Sequence, residues 1–132
     1  MFYNLLVLEY KYLYLGQNGF TGSIPSDIGN LIELTYLNLR FNLFTGSIPS
    51  EIYNLIKLTE LHLEHNQLSG PISSDVSNLI ELTKLHLNGN SFSDIIPPEI
   101  GNLTELRMLK LDYNDLSGPI PPQIGNLSAL TQ

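Results

Sequence analysis

Leu58-Thr59-Glu60-Leu61-His62-Leu63-Glu64-His65-Asn66 decides the fold, because the same phrase returns every 24 residues. Its counterparts are Leu34-Thr35-Tyr36-Leu37-Asn38-Leu39-Arg40-Phe41-Asn42, Leu82-Thr83-Lys84-Leu85-His86-Leu87-Asn88-Gly89-Asn90 and Leu106-Arg107-Met108-Leu109-Lys110-Leu111-Asp112-Tyr113-Asn114. A looser copy comes first, with Tyr10, Leu13, Leu15 and Asn18. Recurrence at one fixed period marks stacked structural units, each unable to bury its apolar face alone. Leu61 and Leu63, two apart, give the alternation of a short strand with one buried face, so His62 between them points the other way. One strand and one return segment fit in 24 residues, which predicts coils stacked with their strands parallel.

Asn18, Asn42, Asn66, Asn90 and Asn114 sit where the chain leaves each strand. A side-chain amide both donates and accepts, so it can satisfy backbone groups left unpaired at such a turn. The five are predicted to form an internal asparagine ladder. The return arc is patterned too, as in Phe20-Thr21-Gly22-Ser23-Ile24-Pro25 and Phe44-Thr45-Gly46-Ser47-Ile48-Pro49. Glycine and proline there exclude a long helix and predict an irregular return with at most a brief helical or 3₁₀ turn, as over Ser26-Asp27-Ile28-Gly29-Asn30. The inward set of one coil is read as Leu55, Leu58, Leu61, Leu63, Leu68, Ile72 and Val76.

The composite Leu-x-x-Leu-x-Leu-x-x-Asn-x-Leu-x-Gly-x-Ile-Pro-x-x-Ile-Gly-Asn-Leu resembles the plant-type leucine-rich repeat over nearly the whole chain. The resemblance implies an α/β-type leucine-rich repeat solenoid of about five coils with a parallel sheet on its concave face and little helix. It also implies kinship with the ectodomains of receptor-like kinases and receptor-like proteins and with polygalacturonase inhibitors, and an extracellular or cell-surface setting. Four positions depart from the pattern: Ser73 replaces the proline, Asp94 the glycine, and Tyr53 and Ser77 the glycine before the Asn-Leu pair. These read as drift within the array, with Asp94 strained if its turn needs a positive φ. Both ends read as incomplete coils without capping segments, a condition that favours self-association through exposed leucines and an unpaired strand edge.

Composition narrows the function. Of 132 residues 42% are hydrophobic and 14% charged, and 13 acidic against 6 basic side chains give a formal charge of −7. Such a chain folds, and at long range it is repelled by nucleic acid and anionic membranes. There is no cysteine, hence no disulfide framework and no thiolate nucleophile. The apolar opening Met1-Phe2-Tyr3-Asn4-Leu5-Leu6-Val7-Leu8 lacks the basic leader and cleavage site of a signal peptide, and no apolar run reaches the ~18 to 20 residues of a membrane span. No phosphate loop, kinase catalytic loop or nucleophile elbow is present, so a non-enzymatic chain without a cofactor is expected.

Function is then sought on the concave strands, where side chains are not required by the fold. Tyr12, Tyr14 and Gly16 come first, followed by Tyr36, Asn38 and Arg40; then Glu60, His62 and Glu64; Lys84, His86 and Asn88; and Met108, Lys110 and Asp112. Tyr12, Tyr14 and Tyr36 beside Arg40 make an aromatic patch of the residue types enriched at binding hot spots. His62 and His86 share a column with Glu60 and Glu64 nearby, a grouping able to ligate a divalent metal. The same residues also make a charge ladder, Glu60 with Lys84 and Arg40 with Glu64. The ladder is preferred and no metal is assigned, because the sequence shows no second layer of partners to orient the imidazoles. Asn102-Leu103-Thr104 and Asn126-Leu127-Ser128 fit the glycosylation sequon, although Asn-Leu is also a framework element of the repeat. The expected partner is a protein or peptide, as a receptor-like segment; an inhibitor of a cell-wall hydrolase and a spacer without ligand are the alternatives.

Overall fold

The computed structural model describes residues 10–132, and the opening residues 1–8 lie outside them. The leucine pairs build the first sheet: β1 (Tyr12–Tyr14), β3 (Tyr36–Asn38), β5 (Glu60–His62), β7 (Lys84–His86) and β9 (Met108–Lys110). They run parallel in the order β1-β3-β5-β7-β9, with each residue opposite its equivalent 24 positions on, as Leu37 opposite Leu61 and His62 opposite His86. Each coil closes through a 3₁₀ turn, at Ser26–Asn30, Ser50–Asn54, Ser74–Asn78, Pro98–Asn102 and Pro122–Asn126. A residue in the extended conformation precedes each turn, and it is proline in all but one, where Ser73 instead accepts a hydrogen bond from the Asp75 amide.

The return arc is more ordered than its glycines and prolines predict. It forms a second parallel sheet of β2 (Thr21–Ser23), β4 (Leu43–Gly46), β6 (Gln67–Pro71) and β8 (Ser91–Ser93). Its pairs lie 22 residues apart, as Thr45 opposite Gln67 and Gly70 opposite Phe92, so equivalent positions slip past one another. The bend that admits this sheet uses left-handed backbone at Gly22, Gly46, Gly70 and Gly118, and Asp94 adopts it with φ 64°. The positive φ that would strain Asp94 is therefore present. A second left-handed column, one residue before each asparagine of the ladder, holds Gln17, Phe41, His65, Gly89 and Tyr113.

Between the sheets lies one continuous apolar core. All seven residues assigned inward in one coil are buried, and Leu55, Leu58, Leu63 and Leu68 have no exposed surface at all. Leu13 and Leu15 at one end and Leu109, Leu111 and Leu116 at the other are only partly covered. Two hydrogen-bond ladders tie the coils along the axis. Threonine hydroxyls of Thr35, Thr59 and Thr83 donate to the carbonyls of Lys11, Thr35 and Thr59 at 2.9–3.0 Å. The asparagine ladder is the other: Asn66 donates to Leu39 O and Leu63 O at 3.0 and 3.1 Å and accepts from Phe44 N at 3.1 Å. Asn42, Asn90 and Asn114 repeat that pattern. Among the described residues Asn18, which is exposed, bonds to Leu15 O and Gly16 O of its own coil.

Tyr53 is not mere drift. At the equivalent Gly29 and Gly101 an added Cβ would stand 2.8 and 2.5 Å from a carbonyl oxygen of the next turn, so glycine there permits close stacking. Tyr53 prevents that approach; it is 3% exposed, and the turns Ser50–Asn54 and Ser74–Asn78 pack less closely than the other adjacent pairs. Its ring fills the space it opens. Burial pushes its hydroxyl up to about 12.

Candidate functional site on the concave sheet

Parallel pairing in strict register sets every concave side chain beside its equivalents, about 4.8 Å away, so the face is a set of columns. Tyr36, in the column of Tyr12 and Glu60, bridges Tyr14 and His62 of the next column, at ring-centroid distances of 4.7 and 5.3 Å, and His62 meets His86 edge-on at 4.6 Å. Tyr12 stacks beside Tyr14 at 6.5 Å. The aromatic patch is thus one contiguous surface, with Tyr12 and Tyr14 62% and 65% exposed and Tyr36 half-buried. Asn38 donates to the Tyr36 hydroxyl at 3.2 Å and accepts from Arg40 N at 3.2 Å.

The charge ladder read from the sequence is present: Lys84 Nζ lies 3.0 Å from Glu60 Oε1, and Arg40 reaches Glu64 at 3.8 Å. The exposure expected of the whole face is not. Asn38, His62, Glu64 and Asn88 are buried, because a curved sheet crowds neighbouring columns and the aromatic and charged side chains roof them over. His86 is largely covered as well, its side chain 12% exposed. Lys110 and Asp112 lie one coil further along, outside this cluster. Asn102 and Asn126, the two sequon asparagines, are both exposed on the turns.

Inside the cluster, His62 Nε2 bonds Glu60 Oε2 at 2.9 Å, so Glu60 orients that imidazole. His62 Nδ1 stands 3.1 Å from His86 Nδ1 and 3.7 Å from Glu64 Oε1, which is also 3.8 Å from His86 Nδ1. Burial works to raise the Glu64 carboxyl, but the adjacent His62 and His86 imidazoles outweigh it and hold the group well below the usual carboxylate range. Burial likewise works to lower His62, and the adjacent Glu64 and Glu60 reverse it, leaving the imidazole above its ordinary value. Glu60, less deeply set, is lowered against its own burial by His62 and Lys84. Among the described residues His62, Glu64 and His86 form the one group of three with metal-ligating atoms within 4.8 Å of one another. Sequence reasoning saw these residues but missed the orienting role of Glu60, since it cannot tell which carboxylate turns toward which ring nitrogen.

Comparison with known proteins follows the same lines. The family model described as a leucine-rich repeat region matches residues 2–119. No curated protein sequence matches the chain. Among solved structures, the chain is similar to the plant peptide hormone receptor RGFR1 in complex with RGF2, with 37% identity, TM-score 0.89, and 91% of this chain covering 19% of that one. It is similar to the Arabidopsis receptor kinase HAESA ectodomain in complex with an IDA peptide hormone, with 36% identity, TM-score 0.87, and 91% covering 20%. A plant ice-binding protein is also similar, with 37% identity, TM-score 0.84, and 87% covering 38%. The chain therefore spans about a fifth of the length of the two receptors. Neighbours this unlike in role show that the scaffold does not choose the function, which has to rest on particular side chains. By its repeat, its paired parallel sheets and the family model that covers most of it, the chain belongs to the leucine-rich repeat family.

Proposed function

We propose that this chain is a non-catalytic protein- or peptide-binding scaffold, a segment of a plant receptor-like ectodomain that engages an extended peptide along its concave sheet. The observation that carries this reading is the contiguous patch of Tyr12, Tyr14 and Tyr36, two of its rings more than half exposed at the edge of the face. Tyrosines supply large contact area at small entropic cost, and an exposed apolar patch on an otherwise self-paired surface marks a contact site. Glu60 pairs with Lys84 and Arg40 with the buried Glu64, so Glu60, Lys84 and Arg40 set the polar rim rather than the anchor. The net charge of −7 favours a neutral or basic peptide. The similar receptor structures are a peptide hormone receptor in complex with RGF2 and HAESA in complex with an IDA peptide hormone, which supports the same class of ligand.

The test is selection of displayed peptides on the full chain, followed by calorimetry of the selected peptide. Tyr14→Ala is expected to weaken binding by about 10- to 30-fold, as for a hot-spot aromatic. Unchanged affinity in Tyr14→Ala and Tyr36→Ala, or failure of any peptide to be selected, would overturn the reading in favour of a spacer.

A further inference from the structure

We infer that His62, Glu64 and His86 form a binding site for a divalent transition-metal ion, with zinc the best match, clamping two adjacent strands of the concave sheet. The three donor atoms are His62 Nδ1, His86 Nδ1 and Glu64 Oε1, and their separations are 3.1, 3.7 and 3.8 Å. A triangle with those edges has a centre about 2.1 Å from every corner, from the product of the edges over four times the enclosed area. Zinc bonds to imidazole nitrogen and carboxylate oxygen are ~2.0 to 2.2 Å long. Two imidazoles and a carboxylate are also the donor set that such an ion prefers over calcium or magnesium.

The hydrogen bonding around the cluster points the same way. Glu60 Oε2, a carboxylate oxygen, accepts from His62 Nε2, and the Met108 sulfur, which has no proton to give, faces His86 Nε2 at 2.9 Å. Both Nε2 atoms are therefore the protonated ones, and in neutral rings both Nδ1 atoms carry lone pairs. Those lone pairs face each other and the Glu64 carboxylate. With both rings neutral, three electron-rich atoms stand in contact, a setting that favours a cation among them. One proton bridges only one pair, whereas one divalent ion satisfies all three.

Independently, Glu64 is 94% buried by its 6% exposure, yet its second oxygen, Oε2, has no hydrogen-bond partner; Asn88 Oδ1, in the adjacent position of the next coil, is likewise buried and unpartnered. Buried polar atoms of this kind call for a ligand or ion. The outer layer of partners whose absence argued against a metal at the level of sequence is in place: Glu60 orients His62, and Lys84 holds Glu60 at 3.0 Å.

The experiment is calorimetric titration of the tag-free, chelator-treated full chain with zinc chloride, alongside the visible spectrum of the cobalt form. One ion per chain is expected, with micromolar or tighter affinity, a raised melting temperature reversed by chelator, and the intense bands of four-coordinate cobalt. Glu64→Gln, close in shape and neutral, and His86→Ala should each weaken binding at least 10-fold, and Glu60→Gln by about 10-fold through His62. His65→Ala should change nothing, because His65 is stacked on Phe41 away from the cluster. Absence of saturable binding would overturn the site, as would retention of full affinity in both Glu64→Gln and His86→Ala. If a variant loses its folded circular dichroism, the cobalt spectrum of the parent chain still decides, since octahedral weak bands would mean a hydrated surface ion.

Discussion

At the scale of single residues, the five asparagines of one column are chemically alike and structurally unequal. Asn66 satisfies two carbonyls and one amide at a half-buried position, whereas Asn18 is exposed and, among the described residues, bonds within its own coil. Asn66→Ala should therefore cost about 3 kcal/mol and Asn18→Ala less than about 1 kcal/mol, read from chemical denaturation midpoints. Equal losses would mean that the column acts through local turn preference and not as a ladder between coils. Tyr53 gives a pH-dependent counterpart. Burial pushes its folded hydroxyl up to about 12, above the ordinary tyrosine value of about 10, so its share of stability is complete below pH 10 and is lost as pH rises through 12. Between those limits the parent chain should lose up to about 2 to 3 kcal/mol relative to Tyr53→Phe, which has no proton to give up; parallel melts at pH 9 and pH 11.5 check it. The sequence announced the asparagines by their period. It did not announce Tyr53, since a large residue in a glycine column reads as a defect until the neighbouring turn is seen to stand back from it.

Strands of the first sheet and the 3₁₀ turns are legible because each has a local cause: the leucine alternation of Leu61 and Leu63, and the extended proline ahead of Ser26–Asn30. The second sheet is not legible in that way. Its strands contain left-handed residues at Gly22, Gly46 and Gly70, and its pairs are 22 apart in a repeat of 24, so no pattern within one coil foretells which residues meet. Left-handed backbone was readable at the glycine column alone; Phe41 and Tyr113 in the other column show it being imposed on side chains by the ladder bonds that follow. Asp94 holds the glycine position of its own arc at φ 64°, which disfavours a residue bearing a Cβ. Asp94→Gly should stabilise the chain by about 0.5 to 1 kcal/mol, seen as a higher melting temperature. A loss of stability would show that the Asp94 side chain makes a compensating interaction in that bend.

For the whole molecule, the consequence of stacking is that the concave face is continuous while its properties change along it. At one edge the tyrosines are exposed; in the middle His62, Glu64 and Asn88 are roofed in; beyond them Asp112 is open to solvent. The columns themselves follow from the 24-residue period, and so does the choice of face for Tyr12, Tyr14, Tyr36, Arg40, Glu60 and Lys84. Burial of the central group does not follow, because it depends on the curvature of the sheet and on side-chain rotamers that no periodicity encodes. The division matches the two proposals, ligand contact at the tyrosine edge and metal-dependent clamping in the interior. The most direct measurement of the first assignment is covalent footprinting of the full chain with and without a saturating selected peptide. Protection centred on Tyr12, Tyr14, Tyr36 and Arg40 is the predicted result, with β2, β4, β6 and β8 unchanged. Protection confined to that second sheet or to the 3₁₀ turns would contradict a concave binding face.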